Sequence, residues 1–314
     1  MGSPEFAIPS LEEVVSFANE EGHLIENVFT QPDRPKGRGK KLTPVPLALK
    51  AKEFNLTLHQ PKSLKKGQEA QEILKKLQKN PPDIICVVAY GLFLPENLLT
   101  LPKFKCVNVH PSLLPAYRGP APIQWAIANG EQKTGVTTME ISDEMDAGPI
   151  YLQKECEIKP DENSLELSSR LAKIGAPLLV ETLKQIFLGK LTPKDQGQEG
   201  VSYCRLLKKE DGQIDWQKPA QEIYNQIRGF YPSPGMFTLW KNKILKIHEA
   251  FLLPKNVSGN PGTILDLNES EIQVATGNGR SLSLKRIQLE GGRVQKVKEF
   301  LNGHKISIGD QLGR

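Results

Sequence analysis

The sequence predicts a two-domain protein, in which an α/β domain with a mostly parallel sheet is followed by a small β-barrel. The length of 314 residues exceeds that of one ordinary domain, because domains typically hold about 100–200 residues. In the first half, helix-like and strand-like segments alternate, which is typical of βαβ units. In the last third, short strand candidates recur between Gly, Pro and Asn, which is typical of a small barrel.

Composition excludes several classes of protein. Hydrophobic residues make up 38% and charged residues 25% of the chain, as in globular proteins rather than disordered ones. No apolar run approaches the roughly 20 residues that span a bilayer, and we find no signal-peptide pattern. We therefore expect a cytoplasmic protein with no membrane partner. The four cysteines are widely spaced, so we expect neither a metal site nor a disulfide framework.

The helices of the first domain are predicted from capping residues and apolar spacing. Ser10 is expected to cap the first helix, with Glu13 as its capping-box partner. Asn163 and Glu166 are expected to cap a long helix with a continuous apolar stripe. Two further helices are expected at residues 47–54 and 69–78.

Three strands are expected in this domain, at residues 24–30, 83–89 and 104–110. The second is a continuous apolar run that ends at Tyr90-Gly91, as expected of a strand buried on both faces. Pro111 stops the third, because proline has no donor for the ladder. After the first strand, prolines and glycines predict an irregular loop.

We place the domain boundaries by composition. A polar stretch with several glycines separates the two parts, so we expect a catalytic domain at 1–188, a linker at 189–203 and a second domain at 204–314. In the second domain we expect one helix near 219–229 and strands at 237–240, 244–251, 262–265, 271–275 and 281–289.

The net charge of +5 is concentrated in two places. Residues 241–314 contain twelve Lys and Arg but only seven Asp and Glu, while the rest of the chain is neutral overall. A second basic cluster lies on the loop near residue 38 and comprises Arg34, Lys36, Arg38, Lys40 and Lys41. Two basic patches favour a nucleic-acid partner. The alternative is a pair of solvated charged faces that bind nothing.

Polar side chains mark the end of the third strand. Asn108 and His110 are two positions apart, so their side chains leave the same face at the carboxyl end of the strand, where open α/β sheets bind ligands. A histidine can transfer a proton, and an asparagine amide can donate to a developing oxyanion. The alternative is a structural pair. Asp146 lies in an acidic turn that can place a carboxylate beside the imidazole.

The longer motif carries a family resemblance. Asn108-Val-His110-Pro-Ser112-Leu-Leu-Pro115, together with Asp146, resembles the signature of the formyltransferases that use 10-formyltetrahydrofolate. The resemblance continues through Gly2-Ser-Pro-Glu-Phe6, Thr30-Gln-Pro-Asp-Arg34, Val88-Ala-Tyr-Gly91, Gly262-Thr-Ile264 and Glu299-Phe-Leu-Asn-Gly303. It implies a doubly wound, Rossmann-like sheet and an OB-like C-terminal barrel.

The resemblance also implies a reaction. The formyl group of 10-formyltetrahydrofolate would pass to the α-amine of methionine on initiator methionyl-tRNA, with no metal and with the protein acting as a monomer. Asn108, His110 and Asp146 would be catalytic. The folate would be bordered by Ser112, Leu113, Leu114, Pro115, Tyr90 and Gly91. Arg34, Lys36, Arg38, Lys40 and Lys41 would contact the tRNA.

Two other functions stay open at this point. Some members of the family formylate small amines or hydrolyse formyl-folate, and the basic loop and basic second domain argue against both. A non-catalytic RNA-binding protein is the other alternative, against which the intact set of Asn108, His110 and Asp146 argues.

The amino end departs from the family pattern. Members carry a hydrophobic strand before the Gly-Ser-Pro turn, whereas here Met1 directly precedes that turn. We expect that a strand upstream of Met1 is missing from the sheet because the start codon was assigned too late. The alternative is a cloning remnant, since Gly-Ser-Pro-Glu-Phe can arise that way.

Overall fold

The computed structural model describes residues 1–36 and 41–313. The chain forms two compact units that are not contiguous in sequence. The first unit comprises Met1–Gly119, Lys133–Glu157 and Ser168–Tyr203. The second unit comprises Pro120–Gln132, Ile158–Leu167 and Cys204–Arg314.

The helices and strands alternate in the first half, and strands dominate the end of the chain. The helices are α1 Ile8–Glu21, α2 Pro46–Glu53, α3 Gln68–Lys79, α4 Glu96–Leu99, α5 Pro122–Ala128, α6 Ser164–Phe187, α7 Ala220–Gly229 and α8 Val297–Gly303. The strands are β1 Val28–Phe29, β2 Arg34–Lys36, β3 Lys41–Thr43, β4 Leu58–His59, β5 Ile85–Val87, β6 Cys106–His110, β7 Lys133–Glu140, β8 Ile150–Glu157, β9 Met236–Trp240, β10 Lys243–Leu253, β11 Ile264–Asn268, β12 Glu271–Ala275, β13 Ser281–Leu289 and β14 Gln295–Lys296. Within the described residues, no helix is long and apolar enough to cross a membrane.

The first unit is an α/β structure, and its described residues form three sheets: the pair β1-β4, the pair β2-β3 and a four-stranded sheet. β1 pairs with β4 in parallel, and β5 pairs with β6 in parallel. β7 and β8 extend the β5-β6 pair in antiparallel fashion, giving the order β5-β6-β7-β8. The predicted α/β class is therefore correct, but the four-stranded sheet is mixed. The sequence did not reveal β7 and β8, because they carry threonines and charged residues rather than a continuous apolar run.

Several local predictions can be checked directly. The capping box of α6 is confirmed, since Asn163 Oδ1 accepts from the Glu166 amide at 3.1 Å and Glu166 Oε2 accepts from the Asn163 amide at 3.0 Å. The cap at Ser10 was wrong: α1 begins at Ile8 after a 3-10 turn, so Ser10 is buried inside the helix. The first strand is shorter than predicted, and β2 and β3 form a hairpin where an irregular loop was expected.

The sheet of the second unit is antiparallel, as the turn-rich sequence predicts. Its strand order is β11-β12-β13-β10-β9, with β14 also paired to β13. These pairings form an open six-stranded sheet, and none of the described residues closes it into a barrel. Residues of α7 and α8 join the strands in one apolar core, in which Ile223, Phe300 and Leu284 are fully buried.

Candidate active site

The site is built on β6, whose two faces have different neighbours. On one face, Val109 packs against α6, because a Cβ built on Gly175 would lie 2.9 Å from Val109 Cγ1. Alternate residues of a strand point to opposite faces, so Asn108 and His110 share the other face. There His110 is opposite Thr137 of β7, and Asn108 is opposite Val87 of β5.

The ring of His110 lies between two acceptors. It is only 4% exposed. Its Nε2 atom lies 3.0 Å from the carbonyl oxygen of Tyr117, and its Nδ1 atom lies 3.6 Å from Asp146 Oδ2. A carbonyl oxygen only accepts, so Nε2 carries the hydrogen of that contact. In the neutral ring Nδ1 then carries no hydrogen, and in the doubly protonated ring its N–H lies beside the Asp146 carboxylate.

Asp146 is held in an unusual conformation beside the histidine. Its Oδ2 atom accepts a hydrogen bond from the backbone N–H of Gly119 at 2.8 Å. Its φ angle is 49°, and Tyr117 has a φ of 59°. Non-glycine residues with positive φ are strained by about 1–3 kcal/mol each, and they persist only where neighbouring contacts impose them. The two residues that flank His110 are therefore both held against a local conformational preference.

Asn108 has an uncommitted side chain. It is half-buried, and its carboxamide makes no hydrogen bond to any described residue. Because it shares a face of β6 with His110, its N–H donors are available to an oxygen atom bound beside the imidazole. A fixed donor of this kind stabilises charge that develops on oxygen in a transition state.

Side chains of β7 and β8 form hydrogen bonds to the loop after β6. Ser112 is buried, and its hydroxyl donates to the carbonyl of Ala116 at 2.7 Å. Thr137 Oγ1 donates to the carbonyl of Ser112 at 2.7 Å, and Gln153 Nε2 donates to the carbonyl of Leu114 at 2.8 Å. Six residues are expected to border the folate, and four of them lie on this loop: Ser112 and Leu114 are turned inward, while Leu113 and Pro115 are half-buried.

Tyr90 contributes its backbone rather than its ring to the turn after β5. The ring lies in an apolar cluster, and its hydroxyl has no partner among the described residues. Burial raises the pKa of this phenol. Its carbonyl accepts from Gln31 Nε2 at 2.8 Å and from Ser3 Oγ at 3.2 Å. Gly91 follows with a φ of 72°, and a Cβ there would lie 2.3 Å from Gln31 Nε2.

Three of the residues predicted to contact tRNA lie on described strands: Arg34 and Lys36 on β2, and Lys41 on β3. Arg34 is exposed and is paired in register with Thr43. The backbones of Lys36 and Lys41 are paired in register. Arg38 and Lys40 fall outside the described residues, so their placement stays a prediction. Among residues 1–36 and 41–313, we find no cluster of His, Cys, Asp and Glu that could hold a metal ion.

Five groups that hold the site together were not predicted from the sequence. They are the carbonyl of Tyr117, the amide of Gly119 and the side chains of Gln31, Gln196 and Ser202. Two of these groups belong to the backbone, so the type of residue at those positions does not indicate the contact. The others lie far along the chain from the residues they contact, and no local pattern relates them.

Comparison with known proteins identifies the family of the chain. The formyl transferase family model matches residues 8–183, and the formyl transferase C-terminal domain model matches residues 206–305. The chain belongs to the formyl transferase family. It is 43% identical over 312 residues to the methionyl-tRNA formyltransferase of Clostridium novyi, covering 99% of this chain and 98% of that protein. It is 44% identical over 315 residues to the Synechococcus enzyme of the same name, covering 98% and 95%.

Solved structures with low sequence identity share the fold. The sugar 3N-formyl transferase WlaRD, solved with dTDP and 5-N-formyl-THF, superposes with a TM-score of 0.67 at 20% identity, covering 93% of this chain and 97% of that one. An N-formyltransferase from Helicobacter canadensis, in complex with folinic acid and dTDP-3-aminofucose, gives a TM-score of 0.67 at 19% identity, covering 90% and 96%.

Proposed function

We propose that this chain is a methionyl-tRNA formyltransferase. It transfers the formyl group of 10-formyltetrahydrofolate to the α-amine of methionine on initiator methionyl-tRNA. The observation that carries this proposal is the identity of more than 40% with methionyl-tRNA formyltransferases over nearly the full length of both chains. The arrangement of Asn108, His110 and Asp146 supports it independently, because it supplies the groups that acyl transfer to an amine requires.

The chemistry assigns one task to each of these residues. The methionine amine attacks the formyl carbon, a C–N bond forms, and the formyl oxygen gains negative charge. Asn108 donates a hydrogen bond to that oxygen. His110 accepts the proton of the attacking amine and delivers it to the N10 nitrogen of the folate as the old C–N bond breaks. Asp146 fixes the orientation of the imidazole and stabilises its charged form.

On the folate side, we propose that Leu113, Pro115 and the turn at Gly91 border the pterin. Ser112 and Leu114 act by shaping the loop, since their contacts are internal. Tyr90 contributes through its backbone. The formyl carbon arrives already activated on the folate, so the reaction as proposed uses only groups of the chain and its two substrates.

On the tRNA side, we propose two basic surfaces. The basic cluster of Arg34, Lys36, Arg38, Lys40 and Lys41 contacts the acceptor end, and the basic residues of the C-terminal domain contact phosphates. We further propose that the antiparallel sheet of this domain acts as an OB-like module, that the functional domains are 1–188 and 204–314 joined by 189–203, and that the enzyme works as a monomer in the cytoplasm.

A direct assay tests the proposal. The purified chain is incubated with 10-formyltetrahydrofolate and initiator methionyl-tRNA, and N-formylmethionine is measured after release from the tRNA. We expect formylation that depends on His110, with little product from elongator methionyl-tRNA or free methionine. Formate release without an acceptor would instead indicate a hydrolase, and tRNA binding without transfer would indicate a non-catalytic RNA-binding protein.

A further inference from the structure

The segment at residues 196–203 runs between the two loops that flank His110. Gln196 lies at its start, and its carboxamide nitrogen donates to the carbonyls of Asp146 and Gly148, both at 2.8 Å. Its carboxamide oxygen accepts from Arg118 Nε at 2.9 Å. The nitrogen and the oxygen of the Gln196 carboxamide therefore both form hydrogen bonds, and these bonds connect the Asp146 turn to the loop that carries Arg118.

Ser202, near the other end of the segment, forms hydrogen bonds to the loop that carries Tyr117. Ser202 Oγ accepts from the amide of Tyr117 at 2.9 Å, and the carbonyl of Ser202 accepts from the amide of Arg118 at 2.9 Å. The amide of Ser202 donates back to the carbonyl of Pro115 at 3.3 Å. One short segment thus binds both of the loops that supply a partner to the ring of His110.

We propose that Gln196 and Ser202 are positioning residues for His110, an inference that rests on the proposed function. Asp146 and Tyr117 both have positive φ, a conformation that needs support from neighbouring contacts. The contacts of the 196–203 segment supply that support from outside both loops. Gln196 and Ser202 therefore act on His110 through Asp146 and Tyr117, the two residues that supply partners to its ring.

A nearly isosteric substitution separates this role from simple packing. Gln196→Glu keeps the shape of the side chain, but it replaces both N–H donors by a carboxylate oxygen facing two carbonyl oxygens. Gln198 provides a matched control, because it is an exposed glutamine in the same segment with no hydrogen bond to a described residue. Ser202→Ala removes the acceptor of the Tyr117 amide at the other end.

The experiment measures kinetics and the state of the imidazole together. We expect Gln196→Glu and Ser202→Ala to lower kcat by about tenfold or more, because small misplacements of catalytic groups are costly, while KM for both substrates changes little. In 15N NMR spectra the ring signals of His110, identified by their loss in His110→Ala, should shift in both variants. Gln198→Glu should leave kcat and the ring signals unchanged.

Two results would overturn the inference. Unchanged His110 signals in both variants would show that the segment does not orient the ring, whatever happens to the rate. A fall in unfolding temperature that fully accounts for lost activity, with unchanged ring signals in the folded fraction, would show a purely structural role. The NMR comparison needs no substrate, so a failure to formylate methionyl-tRNA would count against the proposed function and not against this positioning role.

Discussion

Oδ2 of Asp146 accepts a 2.8 Å hydrogen bond from the backbone N–H of Gly119 and lies 3.6 Å from Nδ1 of His110. The same oxygen therefore connects the loop after β6 to the imidazole. Because one atom makes both contacts, we expect the site to be sensitive to loss of the negative charge of Asp146.

Asp146→Asn is expected to abolish most turnover without unfolding the protein. An amide keeps an acceptor for the Gly119 N–H but removes the negative charge beside His110, so kcat should fall by about two orders of magnitude or more. Steady-state formylation and thermal unfolding are the measurements. Asp143→Asn, an exposed neighbour in the same turn, is the matched control. A rate within threefold of wild type for Asp146→Asn would refute the role of Asp146.

Asn108→Ala is expected to separate catalysis from stability. Its carboxamide makes no hydrogen bond to a described residue, so its loss should leave the unfolding temperature nearly unchanged. Loss of one donor to an oxyanion typically lowers kcat by about 10²–10³. Binding of tRNA, measured by filter retention, should be retained. Near-normal turnover would remove Asn108 from the mechanism.

Gly148→Ala is expected to damage both stability and activity. A Cβ at this position would lie 2.0 Å from the carbonyl oxygen of Glu140, so the turn that carries Asp146 must shift. We expect a loss of about 2 kcal/mol or more, since steric conflict with backbone is among the costlier mutations. Gly303→Ala is the control, because a Cβ there meets nothing within 4 Å. Equal unfolding temperatures for the two variants would contradict this reading of the turn.

The amino end lies between two strands that do not pair with each other. The Met1 amine donates to the carbonyl of Cys86 at 2.6 Å, and the Gly2 amide donates to the carbonyl of Phe29 at 3.0 Å. Burial lowers the pKa of that amine. Beside it, an apolar groove of about 300 Å³ is lined by β1, β5 and residues of α1 and α6, including Phe17 and Leu183.

Extension of the chain before Met1 by four apolar residues is expected to fill this groove. The added strand would run parallel to β1 and β5, and the unfolding temperature should rise by about 5 °C or more. Hydrogen exchange at the amides of Phe29 and Cys86 should slow. An extension of alternating Gly and Ser is the control. If the two extended chains unfold at the same temperature, the groove does not hold an added strand.

Arg38→Lys is expected to lower formylation of initiator tRNA while leaving the salt dependence of binding unchanged. The charge is kept, but the paired hydrogen bonds of a guanidinium are lost. Lys→Gln changes in the C-terminal domain, such as Lys243→Gln, should instead flatten the slope of log affinity against log salt by about one unit per phosphate contact. If Arg38→Lys formylates the initiator tRNA as well as wild type does, the basic loop is only a solvated segment.

The sequence by itself determined the elements whose signal is local. The helices α2, α3 and α7 and the strands β5 and β6 follow from apolar spacing, and the capping box of Asn163 and Glu166 follows from residue type at a fixed interval. It also placed Asn108 and His110 on one face of one strand, because alternation along a strand requires no tertiary information.

Only the tertiary structure decided what surrounds those residues. The carbonyl of Tyr117 and the amide of Gly119 are backbone groups. Every non-proline residue has both groups, so residue type does not reveal which of them contacts His110 or Asp146. Gln196 contacts the turn at Asp146 from 50 residues away. The antiparallel addition of β7 to β6 is equally non-local. Such contacts depend on how the chain returns through space, and side-chain patterns within a short window do not encode that path.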